Sequence, residues 1–266
     1  MTTTGRYRGT HPDVAEPAPI YVYGIISTEV RVPDDLHGIG DAHVSVIGDG
    51  PVAALTSQLA ISQQLGTAAD LRAHAGVIEK VHHSCAVLPM RFGGALDNAD
   101  AVVTELLAPH ADAFADALRR IENHEQFIIR GRYLQGVAFA EILAEDTHVA
   151  RLSAWLRERD AETHRLEAIE LGRLVARALE RKQQADMEFM KEFLEPRVTA
   201  IVERAPASPE TAVDVAFLVR RTDRSAFERA AEEVGRLWDS RIRLRLVGPL
   251  PAYDFAQTVE AGQWAC

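Results

Sequence analysis

Lysine is nearly absent from this chain: Lys80, Lys182 and Lys191 are the only three, although lysine and arginine together number 29. Positive charge therefore rests on arginine, whose planar guanidinium suits two-point pairing with carboxylates at interfaces; genome composition would give the same bias. Cysteine is scarce as well. Cys85 and Cys266 are far apart, and neither has a second cysteine at metal or redox spacing, so no disulfide is implied. Cys266 is the last residue, whereas a prenylation box needs its cysteine four from the end. No apolar run approaches the ~20 residues that cross a bilayer. The opening, Met1 to Pro19, lacks the apolar stretch of a secretion signal. The expectation is a cytoplasmic protein that does not enter a membrane. Walker loop, Gly-Xaa-Ser-Xaa-Gly elbow and His-Glu-Xaa-Xaa-His zinc motif are all missing. Gly38-Ile39-Gly40 opens like a dinucleotide fingerprint, but no third glycine follows at Ala42 or His43 and a strand, not a helix, comes next. No cofactor is expected, and the chain reads as a non-enzyme.

What is present is the composition of a folded protein: 266 residues, 47% hydrophobic and 26% charged. That length lies between one large domain and two ordinary ones, and two are expected. Residues 1–19 mix Thr, Gly, Pro and charge without apolar period and read as a flexible tail. Ile20 to Ile26 is a β-branched and aromatic run, a buried strand. Val44–Ile47 and Val52–Leu55 flank Gly48-Asp49-Gly50-Pro51, whose Asp-Gly pair signals a hairpin. Thr67 and Asp70 stand at capping positions before a stripe of Leu71, His74, Ile78, Val81 and Cys85. Val87-Leu88 is a short extended piece stopped by Pro89. A helix begins near Asn98 with Val102, Leu106, Phe114, Ala117, Leu118 and Ile121, and Pro109 should kink or break it. These elements make an N-terminal α/β domain over 20–122.

After the strand Gln126–Arg130 the pattern turns helical. Two amphipathic arms, Gln135 to about Arg159 and Glu162 to about Arg204, predict a long helical hairpin over about 135–205, with Pro196 bending the second arm. Leu143, Leu152 and Trp155 mark one stripe; Leu171, Leu174, Ala178, Met190 and Leu194 mark the other. Val213, Val215, Phe217 and Val219 then alternate as a strand. Asp223 to Trp238 is an amphipathic helix, and Arg241 to Leu246 alternates again. Strand, helical insertion, strand, helix and strand suggest a ferredoxin-like C-terminal domain over 123–266, and an α+β class overall.

Few residues invite chemistry. Glu79 and His83 share a helical face beside His82, but a metal site needs at least one more ligand; structural packing is the simpler reading. His74 sits on the apolar stripe and reads as a core histidine satisfied by a backbone carbonyl. A small-molecule enzyme would instead need a deep cleft gathering His74, His82 and Arg91. Arg241, Arg243 and Arg245 share a strand face and would meet acidic groups on a partner or stay solvated. The net charge of -10 opposes binding to nucleic acid, and only Phe217 could stack a base.

Several motifs stand in a fixed order: Tyr21-Val22-Tyr23-Gly24, Gly38-Ile39-Gly40-Asp41, His74 with Val77, Leu88-Pro89-Met90-Arg91-Phe92-Gly93, Gly131-Arg132-Tyr133, and Gly248-Pro249-Leu250-Pro251-Ala252-Tyr253. In these the chain resembles the GvpF/GvpL family of gas vesicle accessory proteins, over nearly everything after the tail. The resemblance implies a minor structural or assembly protein with two α/β domains and a helical hairpin. Its implied partners are the small hydrophobic shell protein GvpA and other accessory Gvp proteins. Read from the residues, Arg91 beside Phe92 is a charge-plus-aromatic pair on a loop fixed by Pro89 and freed by Gly93. The loop is either presented for recognition or a corner that ties domains together. The partner-binding residues expected are Arg91, Phe92, Arg241, Arg243 and Arg245.

Overall fold

The computed structural model describes residues 18–60, 64–160, 163–206 and 208–256. The expected tail thus falls almost wholly outside the described residues, as does Cys266. Two antiparallel sheets organise the chain. The first holds β1 (Ile20–Ser27), β2 (Ser45–Asp49), β3 (Val52–Gln58), β4 (Leu88–Pro89) and β5 (Ala95–Leu96), in the order β2-β3-β1-β4 with β5 also paired to β1. Ser45 to Asp49 pairs in register with Thr56 to Val52, so the Asp-Gly signal does close a hairpin.

β1 is buried on both faces. Ile20, Val22 and Ile25 join one core cluster, while Tyr21, Tyr23 and Ile26 join another. The parity switches because the register against β3 shifts between Val22 and Gly24. Against the second face lies α1 (Ala68–His82), whose Thr67 and Asp70 form a complete capping box and whose Val77, Ile78 and Val81 enter the core. Against the first lies a continuous helical run: α2 (Ala99–Ala101), a π-helical turn over Val102–Leu107, and α3 (Ala108–Ile121). The break expected at Pro109 takes the form of that wider turn, in which Ala108 N–H reaches back five residues to the Val103 carbonyl. Pro109 then sits in the first turn of α3, where its missing donor costs nothing.

Gly38-Ile39-Gly40 is a tight turn around a buried hydroxyl and not a phosphate cradle. The Tyr23 hydroxyl accepts from Ile39 N–H at 2.8 Å and shares a hydrogen bond with Ser57 Oγ at 2.8 Å. A Cβ on Gly38 would lie 2.0 Å from that oxygen.

The second sheet contains β6 (His124–Tyr133), β7 (Ala200–Glu203), β8 (Thr211–Arg220) and β9 (Ile242–Leu250), in the order β7-β8-β6-β9. Phe127 and Ile129 of β6 and Val213, Val215, Phe217 and Val219 of β8 pack on one side against α6 (Arg165–Leu194) and α7 (Arg224–Leu237). The helical hairpin differs from expectation in two places. Its first arm is two helices, α4 (Val137–Glu145) and α5 (Thr147–Arg157). Asp146 is non-helical, and its carboxylate accepts from His148 N–H and Val149 N–H, so a new helix starts there. The second arm stops at Leu194: Pro196 ends it in a 3-10 turn instead of bending it, and residues expected to be helical become β7. Val198 to Val202 is β-branched at four of its five positions, and Thr199 N–H bonds the Leu218 carbonyl, extending the ladder to β8. Ile142, Val149 and Ala178, with Leu171 and Leu174, hold α4, α5 and α6 together.

The other side of the second sheet meets the end of the chain. Gly248 has φ 145°, and a Cβ there would fall 2.6 Å from the Phe127 ring. The Gly248-Pro249 peptide is cis. Beyond it, Ala252 and Ala256 join the core cluster of β1, α3 and Leu218, while Tyr253 reaches the cluster under α1. Fully buried Gln126 donates to Asp254 Oδ2 at 2.5 Å and accepts from Asp254 N–H at 2.8 Å. Arg204 bridges Asp254 Oδ1 at 2.5 Å and Asp214 Oδ1 at 3.0 Å.

Two glycine substitutions should therefore act in opposite directions. Gly38→Ala forces Tyr23 off its partners and is expected to lower unfolding free energy by about 2–4 kcal/mol. Gly76→Ala, in α1 with open space around the added carbon, should raise it by about 0.5–1 kcal/mol. Urea denaturation of both variants checks this; a neutral Gly38→Ala would contradict the turn's role.

Candidate partner-binding surfaces

The loop after β4 is anchored by side chains from elsewhere. The Tyr21 hydroxyl accepts from Gly93 N–H at 3.1 Å and lies 2.8 Å from His74 Nδ1. Met90 N–H is already bonded to the Tyr23 carbonyl, at 2.9 Å. The backbone bond between His74 and Met90 is therefore one from the ring to the Met90 carbonyl. The half-buried Phe92 ring packs 5.7 Å from His74 and 6.3 Å from Tyr21, centroid to centroid. Arg91 is exposed. The pair expected to act together is thus divided, with Phe92 facing inward as part of the anchor and only Arg91 facing solvent.

The histidines on α1 make no metal cluster. His83 Nδ1 lies 2.6 Å from the Glu79 backbone carbonyl, which turns the ring away from joint ligation with the Glu79 carboxylate. Arg221 donates to the carbonyls of His82 and His83, tying α1 to the start of α7. Among the described residues no group of three His, Cys, Asp or Glu side chains is placed to hold a metal ion. The clefts of about 730 and 520 Å³ are lined by residues other than His74, His82 and Arg91.

Arg241 does not join the expected row. The chain turns before β9, with Trp238 O accepting from both Arg241 N–H and Ile242 N–H, so the strand begins one residue later. The guanidinium is drawn inward to a two-point bond with Asp186 at 2.7 and 2.9 Å and to Glu141 at 2.8 Å. Asp186 also accepts from Tyr133 Oη at 2.5 Å, and Lys182 joins Glu141 and Glu145 at 2.9 Å each. This network fastens α4 and α6 to the sheet and leaves Arg241 unavailable to a partner.

Arg243 and Arg245 are exposed on the sheet face away from the helices. Register places Arg243 opposite Arg132 and Arg245 opposite Arg130, so four guanidinium groups share one patch. Arg132 pairs with Glu210 and Arg130 with Asp214. Among the described residues Arg243 and Arg245 have no ion-pair partner. Arg130 and Arg132 were not among the expected site residues; their two-residue spacing was visible, but their pairing with β9 was not.

Burial pushes His74 down to about 4, as it does His82 with help from Arg221 and His83. Both rings are neutral in the folded chain above that value, whereas an unfolded histidine protonates near 6.5. Folded stability is then complete above about pH 6.5 and falls as the pH drops toward 4, by about 2 kcal/mol per histidine at pH 5. Urea midpoints at pH 7.5 and 5.0 test this; equal midpoints would contradict it.

Comparison with known proteins places this geometry. The family model described as gas vesicle synthesis protein GvpL/GvpF matches residues 19–257. The chain is 29% identical over 240 residues to gas vesicle protein F of Streptomyces sp. (strain CB03234), spanning 89% of this chain and 99% of that one. It is 25% identical over 248 residues to gas vesicle protein F of Dolichospermum flosaquae, spanning 90% and 98%. Its fold matches the crystal structure of GvpF from Anabaena sp. PCC7120 with a TM-score of 0.79 at 21% identity, covering 90% of this chain and 98% of that chain. The corresponding structure from Microcystis aeruginosa gives 0.75 at 20% identity. The order of motifs from Tyr21 to Tyr253 therefore carries a true relationship, and this chain belongs to the GvpL/GvpF family of gas vesicle proteins.

Proposed function

We propose that the chain is a non-enzymatic accessory protein of gas vesicle formation, working in the cytoplasm and binding the shell protein GvpA together with other accessory Gvp proteins. The observation that carries the reading is the loop Leu88–Gly93, held from within by Tyr21, His74 and Phe92 while Arg91 projects into solvent. A loop anchored before binding loses little freedom when a partner arrives, and an exposed arginine on such a loop is a favoured interface anchor. A wall built of apolar subunits needs partners that meet apolar segments without aggregating themselves, and a net charge of -10 serves that need.

The arrangement is proposed as two α/β domains, 20–122 and 123–266, the second ferredoxin-like. Its element order β6, α4–α6, β7, β8, α7, β9, with β6 and β8 central, supports that division of labour. Among the described residues no helix is long and apolar enough to cross a membrane.

Pull-down of GvpA with Arg91→Ala and Phe92→Ala separates the two roles. Arg91→Ala should fold as the parent does and weaken binding by about tenfold, ~1.4 kcal/mol. Phe92→Ala should lower stability by about 2–3 kcal/mol, seen as a lower melting temperature. A parent protein that associates with neither GvpA nor any other vesicle protein, yet turns over a small metabolite, would end the accessory reading.

A further inference from the structure

We infer that the outer edge of β9 accepts an extended segment from a partner, in which acidic and apolar residues alternate. The inference rests on the reading of this chain as a binding protein, but it uses a different surface from the Arg91 loop.

β9 pairs only with β6, so one of its edges is unpaired within the sheet. Which residues address that edge follows from the ladder. The Arg241 carbonyl accepts from Leu134 N–H at 3.0 Å, and the register continues through Arg243 opposite Arg132 and Arg245 opposite Arg130. In an antiparallel ladder alternate residues turn their backbone groups toward the same neighbour. The odd-numbered positions therefore face β6, and Leu244 and Leu246 direct their N–H and C=O groups outward. Ile242 N–H is already bonded to Trp238 O, and Pro249 has no donor, which confines strand addition to the stretch around Leu244 and Leu246.

The side chains then set the sequence of the incoming strand. On one face stand Arg243 and Arg245, exposed and without an ion-pair partner among the described residues, backed by Arg130 and Arg132. On the other face are half-buried Leu244 and exposed Leu246, the latter 39% exposed. An added strand with carboxylates on the first face and apolar side chains on the second would satisfy both. A second copy of this chain does not fit: two β9 edges meeting about a twofold axis would bring arginine rows together on one face. The same charges that discourage self-association admit an acidic strand.

The test uses the full chain and a labelled peptide of alternating glutamate and valine, with fluorescence anisotropy as the readout. Binding in the micromolar range is expected, at least tenfold tighter than that of the matching lysine–valine peptide and weakened by salt. Arg243→Glu with Arg245→Glu should lower affinity at least tenfold while melting and circular dichroism stay as in the parent. Methylating alternate backbone nitrogens of the peptide should also abolish binding, because strand addition needs those donors. Binding indifferent to methylation, or to the charge reversal in a folded variant, overturns the inference. So does tighter binding of a single-stranded RNA than of the acidic peptide, which would make the patch a general anion site. Because GvpA binding through Arg91 is measured separately, failure here leaves the accessory reading standing.

Discussion

Gln126 is fully buried on the face of β6 opposite α6 and α7, so its amide must find both donor and acceptor within the protein. Asp254 supplies them: its carboxylate accepts from the Gln126 amide nitrogen and its backbone N–H donates to the amide oxygen. Because Asp254 lies far along the chain, this pair fixes the end of the protein against the middle. The reach of Arg204 to both Asp254 and Asp214 extends the constraint to β8. Once the segment after β9 is held there, Ala252 and Ala256 come to lie in the same apolar cluster as β1, α3 and Leu218. The two sheets thereby share a core. The Gly-Pro-Leu-Pro-Ala-Tyr ending is best understood through this requirement: it turns the chain off the edge strand at the point where Gly248 must pass the Phe127 ring.

A similar economy governs the first sheet. Tyr21 and Tyr23 stand two apart on β1 and point to the same side, yet each hydroxyl organises a different loop. Tyr23 gathers the backbone of Ile39, and Tyr21 gathers Gly93 with His74. Motifs far apart in sequence are therefore the inner and outer halves of two hydrogen-bonded constructions. Their side chains serve shape first, and Arg91 is the member of its motif left facing solvent.

This distinction explains what could be read from the chain beforehand. Signals decided by neighbours in sequence were legible: the Asp-Gly hairpin, the Thr67–Asp70 capping box, the stripes of α3 and α7, and the alternation of β8. His74 was legible as a core residue satisfied by a carbonyl, since an apolar stripe leaves a histidine little else. The misreadings occurred where tertiary partners outweighed local pattern. Asp146 can continue an amphipathic arm on paper, but its carboxylate caps a new helix once the chain turns. Residues 200–203 carry enough apolar character to extend the α6 stripe, yet β8 offers an open edge that their β-branched side chains fit better. Arg241 keeps the spacing of Arg243 and Arg245 but sits in the turn before β9 and is drawn inward by Asp186 and Glu141, neither of which is near it in sequence.

The fate of the arginines follows from the same competition. With lysine so scarce, guanidinium groups supply most of the cationic contacts, and those with a carboxylate in reach are consumed by it: Arg241 by Asp186, Arg204 by Asp214 and Asp254, Arg132 by Glu210. A chain with ten more acidic than basic side chains has carboxylates to spare. Two guanidinium groups left unmatched side by side on β9 are therefore not explained by a shortage of partners. Their cross-strand neighbours are themselves arginine, and the acidic side chains nearest that face, Glu210 and Asp214, are held by those neighbours, Arg132 and Arg130. Like charges opposed across a ladder cost stability, so the arrangement weakens the isolated sheet at a strand whose outer edge is unpaired. In the proposed strand addition, an incoming carboxylate would offset that repulsion as well as form its own pair, so binding and folding of the chain would reinforce one another there.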